Sequence, residues 1–329
     1  MSDRPYELLL TAPGGGSVQD LTQLVQDLTW SGDVRQVCRE LSASIAVPRD
    51  GSVELPALEE GAVLTLRRAG KPLFTGPLLT ATTTTQSSVA DLSALDRGRF
   101  LLKNEGWYKF SGVTPEGAAA SIARDFGIPT GSLAATGVSV SRKFPGTALD
   151  RILRTLYNLA GERNGKRYLI RFTGDGKLEV VEKPNSASLT IASTMGVTNT
   201  WDITNLQNSV AIYTSQGSLV RRVEDGASIG RNGRLEHVLT QRDGEDAGGE
   251  AQAWLEDHGL TQKLTVETLG DPRLITGSAV LLKDTGSGVS GLFWVDIDTH
   301  TWKNKQYFTK VTLNFRNIVD DTLTGSEVE

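Results

Sequence analysis

An α+β fold, mainly β, is what this 329-residue chain predicts, and three observations predict it. Apolar and polar residues alternate over short runs in the first hundred residues and again after residue 188, the period of a strand with one buried face. Helical spacing is concentrated in the stretch between. Glycine, at 35 residues, exceeds its usual share of about 7 %, which suits a fold with many tight turns. The order of β, then α+β, then β divides the chain into an N-terminal β domain over 1–100, an inserted α+β segment over 101–188, and a C-terminal β domain with one helix over 189–329.

The elements follow in order. Tyr6 to Thr11 is a strand. In RELSASIAV, Leu41, Ala43, Ile45 and Val47 fall on one face. AVLTLRRAGKPLFTG makes two strands about a turn at Ala69–Lys71, and threonine-rich TATTTTQSS is an exposed strand. Thr114 caps a helix with Pro115 at its first position, ending near Gly127. A second helix is expected from Thr147, with Asp150 in a capping box and Gly161 as its stop. Its apolar stripe is Leu149, Ile152, Leu153, Leu156, Leu159 and Ala160. YLIRFT and LEVVEK form a hairpin, with Asp175–Gly176 suited to a tight primed turn. KPNSAS (183–188) is the best linker candidate. Strands SVAIYT, SLVRRVE, SAVLLKD, LFWVDIDTH and YFTKVTLNF follow, interrupted by a helix over roughly 247–258 that carries Ala251, Trp254, Leu255 and His258 on one side.

Composition narrows the function. The net charge is −5 and the basic residues form no block, so the chain lacks the clustered positive surface that sequence-specific nucleic-acid binding needs. One cysteine, Cys38, excludes an internal disulfide and fits folding in a reducing cytoplasm. MSDRPYELLL carries no signal-peptide pattern, and no apolar run reaches the roughly 18 residues of a membrane span, so no membrane anchor is expected.

Four motifs invite chemistry. Gly286, Gly288 and Gly291 match a dinucleotide fingerprint, but a strand follows them where a helix should, so a hairpin loop is expected. Gly226, Ser228 and Gly230 match a nucleophile elbow, with His237, His258 or His300 as conceivable bases. RNGRLEHVL after it carries Asn232–Gly233, a turn signal, and no helical apolar stripe, so Ser228 is expected to be structural. Cys38 has no surrounding motif and is expected to be a buried small side chain. LFWVDIDTHTW places Phe293, Val295 and Ile297 on one strand face and Trp294, Asp296, Asp298, His300 and Trp302 on the other. Asp296, Asp298 and His300 could chelate a cation, yet a closed site gathers ligands from several segments. The expectation is a solvated or interface-facing polar row with Trp294 and Trp302 half buried, and Trp294 mattering more than His300. No catalytic, cofactor-binding or metal-ligating residue is assigned.

A family resemblance spans most of the chain. LTQLVQDLTWSGD, LDRGRFLLKNEGWYKFSGVTPEGAAASIARDFGI, FPGTALDRILRTLYNLAGERNGKRYLI and ITGSAVLLKDTGSGVSGLFWVDIDTHTWKNKQYFTKVTLNF, in that order, resemble the baseplate hub proteins of contractile phage tails. The blocks resemble the XkdQ/YqbQ type of PBSX-like prophages, which implies a hub fold of the late control D kind. The resemblance implies two tail-tube-like β-barrel domains with the α+β segment inserted between them. It implies a non-enzymatic homotrimer that joins the hexameric tail tube protein to the trimeric central spike protein and lines an axial channel. Other baseplate proteins, a wedge protein and a LysM-type tube-associated protein, are implied neighbours. DNA is expected to pass the channel without specific binding. The implied place is the tail baseplate of a virion or tail-like particle made in the host bacterial cytoplasm. The rival expectation is a tail-associated cell-wall hydrolase that uses the paired carboxylates Asp296 and Asp298.

Overall fold

The computed structural model describes residues 6–47, 56, 58–241, 246–320 and 322–328. The first five residues of the N-terminal stretch discussed above lie outside these. The chain forms two compact units, residues 1–197 with 265–329, and residues 198–264.

The larger unit begins with β1 (Glu7–Thr11), β2 (Val18–Asp20), β3 (Val25–Asp33), β4 (Glu40–Ala46), β5 (Val63–Arg68), β6 (Lys71–Thr83) and β7 (Val89–Leu95). The alternation dictates burial here: Leu41, Ala43, Ile45 and Val47 all face the interior. Ala69 and Gly70 both have positive φ, so β5 and β6 meet in a two-residue primed turn. The threonine-rich end of β6 is exposed, as its composition predicts. Leu8, Leu28, Leu41, Leu64, Phe74 and Leu92, from six different strands, share one core, so the sheet curls around it.

Next come α1 (Arg99–Lys103), β8 (Glu105–Val113), α2 (Pro115–Asp125), β9 (Thr130–Leu133), β10 (Val140–Ala148), α3 (Leu149–Asn164), β11 (Tyr168–Phe172) and β12 (Leu178–Glu182). Thr114 Oγ1 accepts the Gly117 N–H and caps α2, a contact worth about 1 kcal/mol. For α3 the expected ends shift. Ala148 is its N-cap without a side-chain bond, Gly161 is buried within the helix, and left-handed Gly165 closes it. The helix runs on through a polar last turn, Glu162–Asn164, and the Gly165 N–H bonds the Gly161 carbonyl to close it. At the β11–β12 hairpin only Gly176 has positive φ, and Thr173 bonds Lys177 across the loop. The turn is therefore a three-residue loop, not the expected two-residue primed turn. This segment's core also takes in Val37 and Cys38 from the N-terminal region.

The C-terminal part supplies β13 (Leu189–Ile191), β14 (Gly196–Asp202), β15 (Ser209–Tyr213), β16 (Leu219–Glu224), α4 (Gly226–Asn232), β17 (Glu236–Thr240), α5 (Gly248–Asp257), β18 (Thr261–Leu269), β19 (Ala279–Lys283), β20 (Ser290–Lys303) and β21 (Gln306–Asn314). KPNSAS is not a free linker. Lys183 is buried with its ammonium on the Ile318 carbonyl, and Trp294 Nε1 donates to the Pro184 carbonyl.

The main ladder runs β21–β20–β3–β4–β7–β6–β5–β1–β2. Strands from both ends of the chain therefore belong to one sheet, joined where β20 pairs with β3. The class is α+β, mainly β. The two implied barrels are not closed: among the described residues no ladder returns on itself, because β20 spends its edge on β3.

The smaller unit contains the sheet β16–β15–β17, with Val210 and Ile212 packed against Ala247 and Ala251 at α5. α4 stands where a turn is expected: Asp225 caps it by accepting the Ser228 N–H.

Candidate functional site

β20 is one strand with two partners. Residues 290–294 pair with β19, and residues 297–303 pair with β3. A β-bulge between Val295 and Ile297 marks the handover. One extra residue reverses the phase of everything after it. Phe293 and Val295 face the core as expected, but beyond the bulge Ile297 turns out and Asp298, His300 and Trp302 turn in. This corrects the expected solvated row: Asp298 and His300 are 0 % exposed and Trp302 is 2 % exposed. Of the two tryptophans, only Trp294 stays half buried.

Asp298 is fully satisfied. It accepts from Arg39 Nη1 at 3.0 Å, from the Thr276 N–H at 2.6 Å and from Thr276 Oγ1 at 2.7 Å. Arg39 Nη2 takes the second oxygen, so the guanidinium binds both. His300 Nε2 faces the same oxygen at 3.2 Å, while its Nδ1 lies 2.8 Å from the Tyr307 hydroxyl and 3.1 Å from Thr309 Oγ1. The Arg39 guanidinium lies 4.0 Å over the Trp30 ring, whose other neighbour is His300 at 4.8 Å between centroids.

Backbone geometry makes room for this. Gly32 pairs opposite Asp298, and a Cβ there would stand 2.3 Å from Arg39 Nη1. Gly277, beside Thr276, has positive φ and lies against Leu169 of β11. The N-terminal, middle and C-terminal stretches therefore meet at one buried joint.

The electrostatics are those of a clamp. Burial pushes the Asp298 carboxyl up, but Arg39 and His300 more than offset it and hold it well below the usual carboxylate range. Asp96, on the other side of Arg39, behaves oppositely. It accepts the Arg39 and Gly98 N–H groups, yet burial pushes it up to about 6. A carboxylate locked to an arginine and closed off from solvent can neither deliver a proton to a glycan nor attack one. The adjoining cavity of about 280 Å³ is lined by Arg39 and Trp30, not by Asp298. Asp296 is occupied by Asn314 Nδ2 at 2.8 Å. The bulge sends the two aspartates to different surroundings, so they are not a facing pair and the hydrolase expectation has no support.

The other candidates are dispersed. Ser228 follows a strand and sits in a helix, but it is buried, and its hydroxyl meets the amides of Asn208 at 3.3 Å and Asn232 at 3.4 Å. His237 and His258 are stacked on opposite sides of Trp254, at 3.6 and 4.0 Å between centroids. Cys38 is buried, which pushes its thiol up and keeps it protonated. Gly286, Gly288 and Gly291 fall in or beside the β19–β20 loop, where Asp284 accepts the Ser287 N–H. Among the described residues no group of three or more His, Cys, Asp or Glu side chains is placed to hold a metal.

Arg39, Gly32, Thr276 and Trp30 escape a reading by motif, because they lie far from Asp298 in sequence. One signal for the bulge is local. Asn304 and Lys305 both have positive φ, which sets a two-residue turn and pairs Lys303 with Gln306. Counting back from that register puts Asp298 beside Val311, on the apolar face of β21. Phe293 and Val295 can share that face only if a residue is inserted between.

Known proteins agree with this architecture. The sequence profile of the YQBQ-like family matches residues 28–314. The chain is 25 % identical over 320 residues to the phage-like element PBSX protein XkdQ of Bacillus subtilis, covering 92 % of this chain and 95 % of the relative. The fold is similar to that of the prophage MuSo2 43 kDa tail protein from Shewanella oneidensis, with a TM-score of 0.69, 14 % identity and coverage of 97 % of this chain and 100 % of that one. A tail protein from Neisseria meningitidis gives a TM-score of 0.69 at 17 % identity, covering 97 % and 99 %. The chain belongs to the YQBQ-like family, and its fold is that of these prophage tail proteins.

Proposed function

We propose that this protein is the hub of a contractile-tail baseplate, a homotrimeric ring between the hexameric tail tube and the trimeric central spike. In this reading the β stretches over 1–100 and 189–329 alternate around an axial channel, and the α+β segment over 101–188 lies to the outside or toward one end. The observation that carries it is the β3–β20 ladder, which makes strands from both ends of the chain one continuous sheet. A part that links two assemblies transmits force between them. A ladder closed by a bidentate Arg39–Asp298 pair, with the carboxylate fully buried, suits that task. Three chains with two β stretches each match a six-fold tube, and closed symmetry is the norm for homo-oligomers. The net charge of −5 suits a channel through which DNA passes without being gripped.

Images of assembled tails, or of the protein mixed with its spike, test this reading. Three copies per hub layer are expected. A two-fold, four-fold or six-copy layer overturns it. Purified protein is also expected to leave peptidoglycan intact, and turnover that disappears in Ser228→Ala would overturn the structural role.

A further inference from the structure

The stretch comprising residues 318–320 and 322–326 lies across α3 and along the edge of β10, and most of the bonds that hold it address its main chain. Asn158 Nδ2 donates to the carbonyls of Asp320 and Thr322, at 2.8 and 3.1 Å. Lys183 Nζ donates to the Ile318 carbonyl at 2.5 Å. Arg142 donates to the Thr324 and Gly325 carbonyls at 2.7 and 3.2 Å. Thr155 Oγ1 accepts the Thr324 N–H at 2.9 Å. Lys143 and Ser326 exchange two backbone bonds, at 2.8 and 3.0 Å, which makes Ser326 a bridge onto β10. Two contacts are selective. Arg154 Nη1 lies 3.2 Å from Asp320 Oδ2. Gly325 has φ +75°, and a Cβ there would stand 2.4 Å from the Lys143 carbonyl oxygen.

A second observation concerns what the stretch leaves unburied. None of its described residues is fully buried, and Leu323 is 49 % exposed. A segment held by polar contacts, with nothing in the core, opens at far lower free energy than the core does. Main-chain donors beside a bridged strand edge are also the means by which strand addition captures extended peptides.

We propose that α3 and the edge of β10 form a groove for an extended peptide, occupied by this chain's own residues 318–320 and 322–326, into which the same stretch of a second copy exchanges. A second copy is the fitting occupant because it carries the acid for Arg154 and the glycine for the Lys143 edge in the right places, and exchange of an identical element costs little. Only the meeting of two copies rests on the assembly proposed above.

The test uses the full chain with a protease site placed between Phe315 and Ile318, nicked after folding and washed free of its tail. A fluorescent peptide of residues 316–328 is expected to rebind one-to-one. A peptide carrying Asp320→Lys is expected to bind about tenfold more weakly, and Asn158→Ala in the protein is expected to weaken binding too. A washed protein that keeps its fold but takes up no peptide, or binds the Asp320→Lys peptide equally well, overturns the proposal. Hydrogen exchange on the intact chain decides if nicking unfolds it. Amides of residues 322–326 exchanging about a hundredfold faster than those of α3 support the groove, and exchange in step with α3 overturns it. A wrong copy number in tail images alongside persistent peptide exchange would overturn the hub reading and leave the groove standing.

Discussion

Two arginine–carboxylate clusters in this protein differ in one respect that decides their weight. At the β3–β20 joint, Asp298 is 0 % exposed and the Arg39 side chain that holds it is 14 % exposed. On the sheet of the smaller unit, Arg222 meets Glu236 and Arg234 meets Glu224, each at 2.8 Å, with all four side chains partly in water. The distances are alike. In solvent a broken pair is rehydrated, and little is lost. At the joint the abandoned charge is largely cut off from water. The inner cluster therefore decides which strands join, and the outer one decorates a sheet that its apolar contacts with α5 already hold.

Asp298→Ala should break the comparison most severely. It strands the Arg39 guanidinium beside Trp30 and frees the Thr276 N–H, at a cost of about 3–5 kcal/mol, measurable by urea unfolding. A loss comparable to that from Glu236→Ala would show that the joint is wetter than its burial implies. Gly32→Ala should be next, at about 1–3 kcal/mol, because the new methyl occupies the place of Arg39 Nη1. A variant as stable as the parent would mean that Arg39 reaches Asp298 by another path. His300→Ala should cost more than Trp294→Ala, which reverses the expectation drawn from the size of the aromatic side chain. His300 is enclosed between Trp30 and two hydroxyls, and Trp294 is half in solvent.

The pH response should sharpen the comparison further. Asp298 has its carboxyl depressed below the unfolded value, so its contribution is complete above about pH 4. That contribution is lost as pH falls through the lower folded value. Asp96 is raised to about 6, so the native state holds its proton more tightly than the unfolded chain does. Its effect is a fall in stability as pH rises from about 4 to 6. Unfolding free energies across that window should fall less steeply in Asp96→Asn than in the parent, the remainder coming from Asp150 and Asp296, which burial also pushes up. A parent curve that rises throughout would contradict the assignment. The smallest effect is expected at the surface: Glu236→Ala should leave the melting midpoint within measurement scatter, and raised salt should leave the variant and the parent equal.

Much of the architecture is legible in the chain by itself because it depends on neighbours a few residues apart. Alternation in RELSASIAV fixes which side chains are buried, Thr114–Pro115 starts α2, and the helical stripe of Leu149 to Leu156 makes α3 a core helix. The order of these blocks also carries the family. Other features are local yet pass unnoticed, such as α4, whose cap is Asp225 rather than an apolar stripe.

What only the tertiary structure decides is the joint. Strand period assigns Asp298 to the face of Asp296. The bulge overrules it, and the bulge exists because β20 must leave β19 and continue on β3. Burying Asp298 is tolerable only because Arg39, 259 positions away in the chain, arrives through the gap left by Gly32. A charge can be taken out of water only when its partner is in place, and no local pattern records a partner brought there by folding.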